Sequence, residues 1–177
     1  GPEESALLSQ LHCRLQLTFT ASAYPRSGDK AGLAAIPEQV PLFFVTDYWP
    51  SYIHMDLLNL LPHPKRLRVL DMLPPDETLP YLRNIQHLDD VQLSLQYDPQ
   101  PEDWRKFDGV PLTWISQNHV PEAAALDAFA RSGEGRSPRK LTVERDTPWS
   151  AGERAGIEQS PMQVQWIHSA PLARRAV

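Results

Sequence analysis

The stretch Leu88-Asp89-Asp90-Val91-Gln92-Leu93-Ser94-Leu95-Gln96 decides the fold, because it alternates apolar and polar residues and its core returns along the chain. Alternation with a period of two is typical of a strand with one buried face. The core, apolar-x-apolar, occurs six times at intervals of 21 to 29 residues, as Leu42-Phe43-Phe44, Leu67-Arg68-Val69, Val91-Gln92-Leu93, Leu112-Thr113-Trp114, Leu141-Thr142-Val143 and Val164-Gln165-Trp166. A period of this length predicts a repeat architecture.

The segments between these strands carry helix signals. Apolar residues at helical spacing stand near prolines, which favour the first turn of a helix. The predicted helices or helical turns are 51–61, 75–85, 101–107, 121–132 and 148–159. In the first of them, Ile53, Leu57, Leu58, Leu60 and Leu61 are expected to form one inward face. Connections of this length bring each next strand back parallel to the one before.

Two architectures fit a strand-helix repeat of this length. One is a curved solenoid with all helices on its outer face, and the other is a doubly wound sheet with helices on both faces. A sheet covered on both faces has nearly continuous apolar strands, whereas the strands at 91–95, 141–144 and 164–166 alternate. The alternation therefore favours an α/β solenoid with a mostly parallel, curved sheet that keeps one wet face.

At this point residues 42–169 resemble the leucine-rich-repeat family, whose units read Leu-x-x-Leu-x-Leu-x-x-Asn. The copy at 88–96 is the best match, and the resemblance covers about two thirds of the chain. It implies a β-α solenoid in which a polar side chain after each strand bonds the neighbouring turn, forming a ladder. This chain departs from the pattern, because the ladder positions hold Asp47, Gln96, Gln117, Asp146 and Ser169 instead of Asn, and the second copy holds Met72.

An additional strand is expected before the first repeat. Residues 11–20 alternate, and we predict that they run antiparallel beside Phe43 and cap the core with Leu15, Leu17 and Phe19 buried. Residues 21–39, rich in small residues, Gly and Pro, predict a mobile loop. The expected organisation is a protease-site remnant at 1–2, the capping strand and loop at 3–40, one repeat domain at 41–170 and a tail at 171–177.

The composition narrows the function. A formal net charge of −5 gives no general attraction to a phosphate backbone, so nucleic acid is not an expected partner. The single Cys13 excludes an internal disulfide and a cysteine-based zinc site, and no apolar stretch approaches the length needed to cross a bilayer. No phosphate-cradling glycine loop occurs, and the six histidines include no pair at i, i+4, so no cofactor and no metal are expected. A cytoplasmic protein and a secreted effector both remain open.

The residues between the apolar strand positions predict a protein-binding face. They combine charges, amides and a few aliphatics, a mixture that suits protein recognition. The predicted partner-binding residues are Arg66, Arg68, Leu70, Gln92, Ser94, Thr113, Ile115, Thr142, Glu144, Gln165 and Ile167. The function that this indicates is a protein-protein interaction module, such as a bacterial immunity protein or the recognition domain of a secreted effector.

The alternative is a small α/β hydrolase-like enzyme. Parallel α/β sheets place catalytic groups at the carboxyl ends of their strands, where His119 and His168 could meet Asp98 or Asp146. This hypothesis requires a concave pocket there, with a histidine in hydrogen-bond reach of a carboxylate. No residue is assigned a catalytic role on this evidence.

Four of the five tryptophans fall into two groups according to their position in the repeat. Trp114 and Trp166 fall on apolar repeat positions and are expected in the core. Trp49 and Trp104 lie in connections beside proline and acidic residues, and they are the better candidates for exposure, with packing against the helices as the alternative.

Overall fold

The computed structural model describes residues 17–20, 30–133, 139–145, 147–158 and 162–168. Strands and helices alternate along them. The strands are β1 (Leu17–Thr20), β2 (Leu42–Thr46), β3 (Lys65–Leu70), β4 (Leu88–Leu95), β5 (Leu112–Gln117), β6 (Lys140–Arg145) and β7 (Gln163–His168). The helices are α1 (Lys30–Ala34), α2 (Tyr52–Asn59), α3 (Leu79–Asn84), α4 (Pro101–Arg105), α5 (Ala123–Arg131) and α6 (Ala151–Glu158), with a 3-10 turn at Asp76–Thr78.

All seven strands pair in parallel and in chain order, in one sheet. The six apolar-x-apolar copies lie on β2 to β7, so the predicted α/β class and the parallel sheet are confirmed. Neighbouring copies are aligned at β3 to β5 and shifted by two residues between β2 and β3, where Phe44 lies opposite Leu67. A shift of two equals the side-chain period of a strand, so it keeps the same residues on the same face.

The core lies between the helices and one face of the sheet. Alternate strand residues such as Leu67 and Leu93 are buried with helical residues such as Leu82 and Phe129 in one cluster. Because the strand order never reverses, right-handed crossovers put the helices on the same side. The other side of the sheet, called the open face below, carries the residues that alternate with the core positions.

The first strand pairs where the alternation predicts, but in the opposite direction. Thr18 of β1 lies opposite Phe43, which confirms the position. The two strands are parallel, so the antiparallel prediction is wrong. The physical reason is the connection, since α1 provides a helical crossover that returns the chain to the same end of the sheet. Residues 11–16, including Leu15, and the side chains of Leu17 and Phe19 lie outside the described residues.

Other local expectations are also corrected. The predicted loop at 21–39 contains α1 from Lys30 onward, with Leu33 and Ile36 buried, while 21–29 lies outside the described residues. Leu60, expected on the inward face of α2, stands at the end of the helix with 62% of its surface exposed. Trp104 and Trp49 are buried, at 0% and 8% exposure, so of the two alternatives for these side chains exposure is the one that fails.

Basic side chains connect the turns at the amino end of the sheet. Lys65 is buried, and its ammonium donates hydrogen bonds to the carbonyl oxygens of Leu61 (2.5 Å), His63 (2.8 Å) and Gln86 (2.8 Å). Arg139 is also buried and donates to main-chain oxygens, including that of Val110 at 2.6 Å. Helix ends leave carbonyl groups without partners, and cations there satisfy them. These cations thus tie successive repeats together.

The turns after β2 and β5 are bonded by other residues than the ladder positions that the resemblance implies. Asp47 and Gln96 are exposed. At two strand ends the turn is bonded by a buried hydroxyl one position earlier: Thr46 Oγ1 donates to the Tyr48 carbonyl (3.1 Å) and Ser116 Oγ to the His119 carbonyl (2.7 Å). These bonds stay within a single turn. Asp146 and Ser169 lie outside the described residues.

Candidate protein-binding face

The structure places all eleven predicted binding residues on the open face of adjacent strands. One register row runs from Leu70 through Ser94, Ile115 and Thr142 to Gln165. The row beside it joins Arg68, Gln92 and Thr113. Arg66 lies at the amino end of β3, and Glu144 pairs with Ile167 on the last two strands. The alternation in the sequence therefore located the face.

The expected exposure of this face is only partly present. Arg66 and Gln165 are exposed, and Arg68, Leu70, Gln92, Glu144 and Ile167 are half-buried. The four central residues, Ser94, Thr113, Ile115 and Thr142, are buried at 0 to 7% exposure. The expectation that Ile115 supplies exposed apolar contact is therefore wrong. Side chains from the neighbouring strands cover these positions, as the next contact illustrates.

One ion pair spans the open face. The guanidinium of Arg68 on β3 approaches the carboxylate of Glu144 on β6, with Nη2 and Oε2 3.0 Å apart. On the way, Arg68 Nε donates a hydrogen bond to Ser94 Oγ at 2.9 Å. Because β4 and β5 lie between β3 and β6 in the sheet, this contact crosses two strands. Arg68 and Glu144 are each about three-quarters buried. They are therefore not the fully exposed charges that a predicted binding residue suggests.

A double-mutant cycle can measure this pair. We expect Arg68→Ala and Glu144→Ala to show a coupling free energy of about 1 kcal/mol, which decreases with added salt, because both groups are partly shielded from water. The measurement is urea unfolding of the four proteins. The matched control is the exposed pair Asp127 and Arg131 on α5, whose coupling should stay below about 0.5 kcal/mol. Additive effects at Arg68 and Glu144 would contradict the bridging role.

A polar groove of about 680 Å³ lies on the amino-terminal half of the open face, across β3 to β7. Its lining consists of Arg66, Asp89, Asp90, Gln92, Thr113, Lys140, Leu141, Thr142, Val164 and Gln165. Five of the predicted binding residues are among them. We call this feature the amino-end groove. Cations and carboxylates both occur in it, so it can bind a segment that presents both signs of charge.

Asp90 is the most enclosed charge in the amino-end groove. It is 8% exposed, and its oxygens accept hydrogen bonds from Thr113 Oγ1 (2.8 Å) and Gln92 Nε2 (3.0 Å). A carboxylate has about four acceptor positions, so acceptor capacity remains in the groove. The sequence pattern puts Asp90 on the open face, but neither Asp90 nor Lys140 is among the predicted binding residues. The signal that could have identified Asp90 is its place in the alternation with Val91 and Leu93.

The histidine-carboxylate contact required by the enzyme hypothesis occurs at one position. His119 Nε2 lies 2.9 Å from Asp98 Oδ1, so one histidine is within hydrogen-bond reach of a carboxylate. The other oxygen of Asp98 accepts the backbone N–H of Glu122 at 2.9 Å, so the carboxylate holds the loop after β5 against the loop after β4. Neither residue lines the amino-end groove or the shallow cavity between α4 and α5. Asp146 and the side chain of His168 lie outside the described residues.

Among the residues that the structure describes, no three His, Cys, Asp or Glu side chains come together in a group that could bind a metal ion. None of the helices in this part of the chain has the length and apolar character needed to span a bilayer. Comparison of the chain with family models, with curated proteins and with solved structures gives no match.

Proposed function

We propose that this protein is a leucine-rich-repeat-like β-α solenoid that binds another protein through its open sheet face. The observation that carries the proposal is the amino-end groove, because Arg66, Gln92, Thr113, Thr142 and Gln165 were selected from alternation alone and all line it. Polar groups that converge in a concave site fix the orientation of what binds there and provide specificity.

Strand order and the Arg68–Glu144 bridge support the solenoid. Seven parallel strands in chain order, with core residues on one face, require the helices to lie together on the opposite side from the groove. A contact between side chains three strands apart fits a concave open face. Stacked repeats of this kind form extended concave surfaces that suit protein partners.

The charges of the groove indicate how a partner would bind. Arg66 and Lys140 are exposed at its border, whereas Asp90 is enclosed within it. Exposed charges raise the association rate and select the register, and an enclosed hydrogen-bonded carboxylate discriminates strongly for a donor. The partner class that fits is a protein segment with a basic side chain for Asp90 and acidic groups for the border. Under this proposal the chain is a protein such as a bacterial immunity protein or the recognition domain of a secreted effector.

Site-specific photocrosslinking tests the location. A benzophenone amino acid at Gln165, exposed in the groove, should crosslink one partner in lysate of the native host. The same amino acid at Ala124, exposed on α5, is the matched control and should not crosslink it. Equal crosslinking from both positions, or no crosslink from Gln165, would contradict binding in the groove.

Charge reversal tests the chemistry. We expect Arg66→Glu with Lys140→Glu to reduce capture of that partner by about tenfold or more, because two border charges become repulsive. The control, Arg105→Glu with Arg131→Glu, makes the same change in net charge on the outer helices and should leave capture unchanged. Quantitative pull-down with each variant is the measurement. Equal losses in both variants would show that only net charge matters.

A further inference from the structure

A second repeated feature lies at the carboxyl end of the sheet. After each of β2 to β5 the chain exits through a polar residue, a large side chain, one further residue and a proline. The four segments are Asp47–Pro50, Asp71–Pro74, Gln96–Pro99 and Asn118–Pro121. In all four the proline is buried and the first residue is exposed. The exit turn is therefore a repeated structural unit, which the strand pattern does not include.

The large side chains at the second position form a row. They are Tyr48, Met72, Tyr97 and His119, which we call the carboxyl-end ridge. The first three are 39 to 41% exposed, and they account for three of the five exposed large apolar residues in the described part of the chain. Tyrosine and methionine are both enriched at protein interfaces, and exposed apolar groups that lie together mark interaction sites. Their equivalent placement in three successive repeats indicates a binding surface.

Interactions link neighbouring exit turns. Trp49 Nε1 donates a hydrogen bond to the Met72 carbonyl at 3.2 Å, which joins the first two turns. Burial and then the carboxylates of Asp71 and Asp103 raise the pKa of the Tyr97 hydroxyl, which places Asp71 near the third turn. The strands are adjacent, so Tyr48 and Tyr97 are rooted about 10 Å apart, with Met72 between them.

The turns are held before any partner arrives. Thr46 Oγ1 bonds both the carbonyl and the N–H of Tyr48. Asp71 has a left-handed φ of 57°, and its N–H donates to the Ser94 carbonyl at 2.6 Å. Side chains mounted on fixed turns lose little further freedom on binding, which favours affinity.

The formal charges within the four exit segments are of one sign. Asp47 and Asp71 are exposed beside it, and no lysine or arginine occurs in the four exit segments. Tyrosine faces attract guanidinium and ammonium groups, and the attraction increases when a carboxylate is close. A second copy of the chain would bring the same acidic edge and is repelled. An apolar segment would leave both carboxylates without partners.

We infer that the carboxyl-end ridge binds an extended basic segment of a protein, with arginine or lysine side chains over Tyr48 and Tyr97 and paired with Asp47 and Asp71. A separation of about 10 Å corresponds to one turn of a polyproline II helix, which has three residues per turn and a rise of about 3.1 Å per residue, so basic residues at every third position share one face and fit the ridge. This surface lies at the opposite end of the strands from the amino-end groove and does not depend on the proposed function of that groove.

The test uses a fluorescein-labelled peptide with three arginines at every third position, and fluorescence anisotropy with the full chain. We expect Tyr48→Ser with Tyr97→Ser to raise the Kd about tenfold, and Asp47→Asn with Asp71→Asn to raise it by a similar factor. The charge-matched control is Asp56→Asn with Glu158→Gln, exposed on α2 and α6, and it should change the Kd less than about twofold. A peptide with glutamine for arginine should not bind.

Each contrary result overturns the inference. An unchanged Kd for the tyrosine variant shows that the ridge is not the contact. An equal increase in the control shows general attraction of arginine to an acidic protein. The groove variant Arg66→Glu with Lys140→Glu should still bind the peptide, so loss of binding there would place the peptide in the groove. Circular dichroism melting of each variant confirms that these exposed substitutions leave the fold intact.

Discussion

Trp104→Ala is expected to lower the free energy of unfolding by about 3–5 kcal/mol, close to the whole stability of a small domain. The ring of Trp104 is fully buried in an aromatic cluster, with its centroid 5.0 Å from that of Trp114 and 4.6 Å from that of Phe129. Its indole N–H has no hydrogen-bond partner among the described residues, so the ring stabilises the protein by packing. Truncation leaves a cavity between β5 and α5 that rigid neighbours cannot fill.

Urea unfolding followed by circular dichroism measures this effect. The matched control is Tyr81→Ala, which removes an aromatic ring that is 42% exposed on α3. It should cost about 1 kcal/mol or less. If Trp104→Ala unfolds at the same urea concentration as the parent, the side chain of Trp104 is exposed and the packing of α4 against the sheet is wrong. Exposure is the outcome that its position beside acidic residues in the sequence favoured.

Lys65→Met is expected to lower the free energy of unfolding by about 1–3 kcal/mol at neutral pH, because the loss of three hydrogen bonds outweighs the relief of burying a charge. The substitution keeps the apolar stem but removes the ammonium that bonds the carbonyl oxygens of Leu61, His63 and Gln86. These carbonyls would then lie without a donor in a buried turn, which is costly. Lys140→Met, at an exposed position on β6, is the control and should cost less than about 0.5 kcal/mol.

Lys65 also makes the free energy of unfolding depend on pH, and the expected direction is an increase as the pH rises. Burial lowers the pKa of Lys65 to about 8, against a smaller opposing effect of Asp89. Between pH 8 and 10.5 the folded protein therefore holds fewer protons than the unfolded chain, so the stability from this group rises with pH and is lost as the pH falls through 8. We expect a gain of up to about 2 kcal/mol from pH 7.5 to 9.5 in the parent that Lys65→Met lacks. Equal pH slopes in the two proteins would contradict the lowered pKa.

Much of the fold could be predicted from the spacing of apolar residues. Val91 and Leu93 alternate with Gln92 and Ser94, and this period forces a strand with one buried face wherever it occurs. The helix at Ala123–Arg131 was equally visible, because alanine, leucine and phenylalanine recur there at helical spacing after Pro121. These signals are local, since they depend only on backbone geometry and on the removal of apolar surface from water.

The direction of β1 could not be predicted in the same way. An alternating strand buries the same face whether its neighbour is parallel or antiparallel, so residues 17–20 do not specify direction. Direction depends on whether the connection contains a helix, and α1 is only five residues long and was hidden in a segment rich in small residues. Trp104 has a similar explanation, since its burial depends on Trp114 and Phe129, which are distant in sequence.

By itself, the sequence determined which residues lie on the open face, because period-two alternation leaves each strand residue only two directions. It therefore located Arg66, Gln92 and Gln165 correctly. Only the tertiary structure decided that Ser94 and Ile115 are covered, that Asp90 is enclosed in a groove and that Tyr48, Met72 and Tyr97 are exposed. These properties arise between strands, through the register and the reach of side chains such as Arg68 to Glu144. No local spacing contains that information, because it comes from residues that meet only after the strands have stacked.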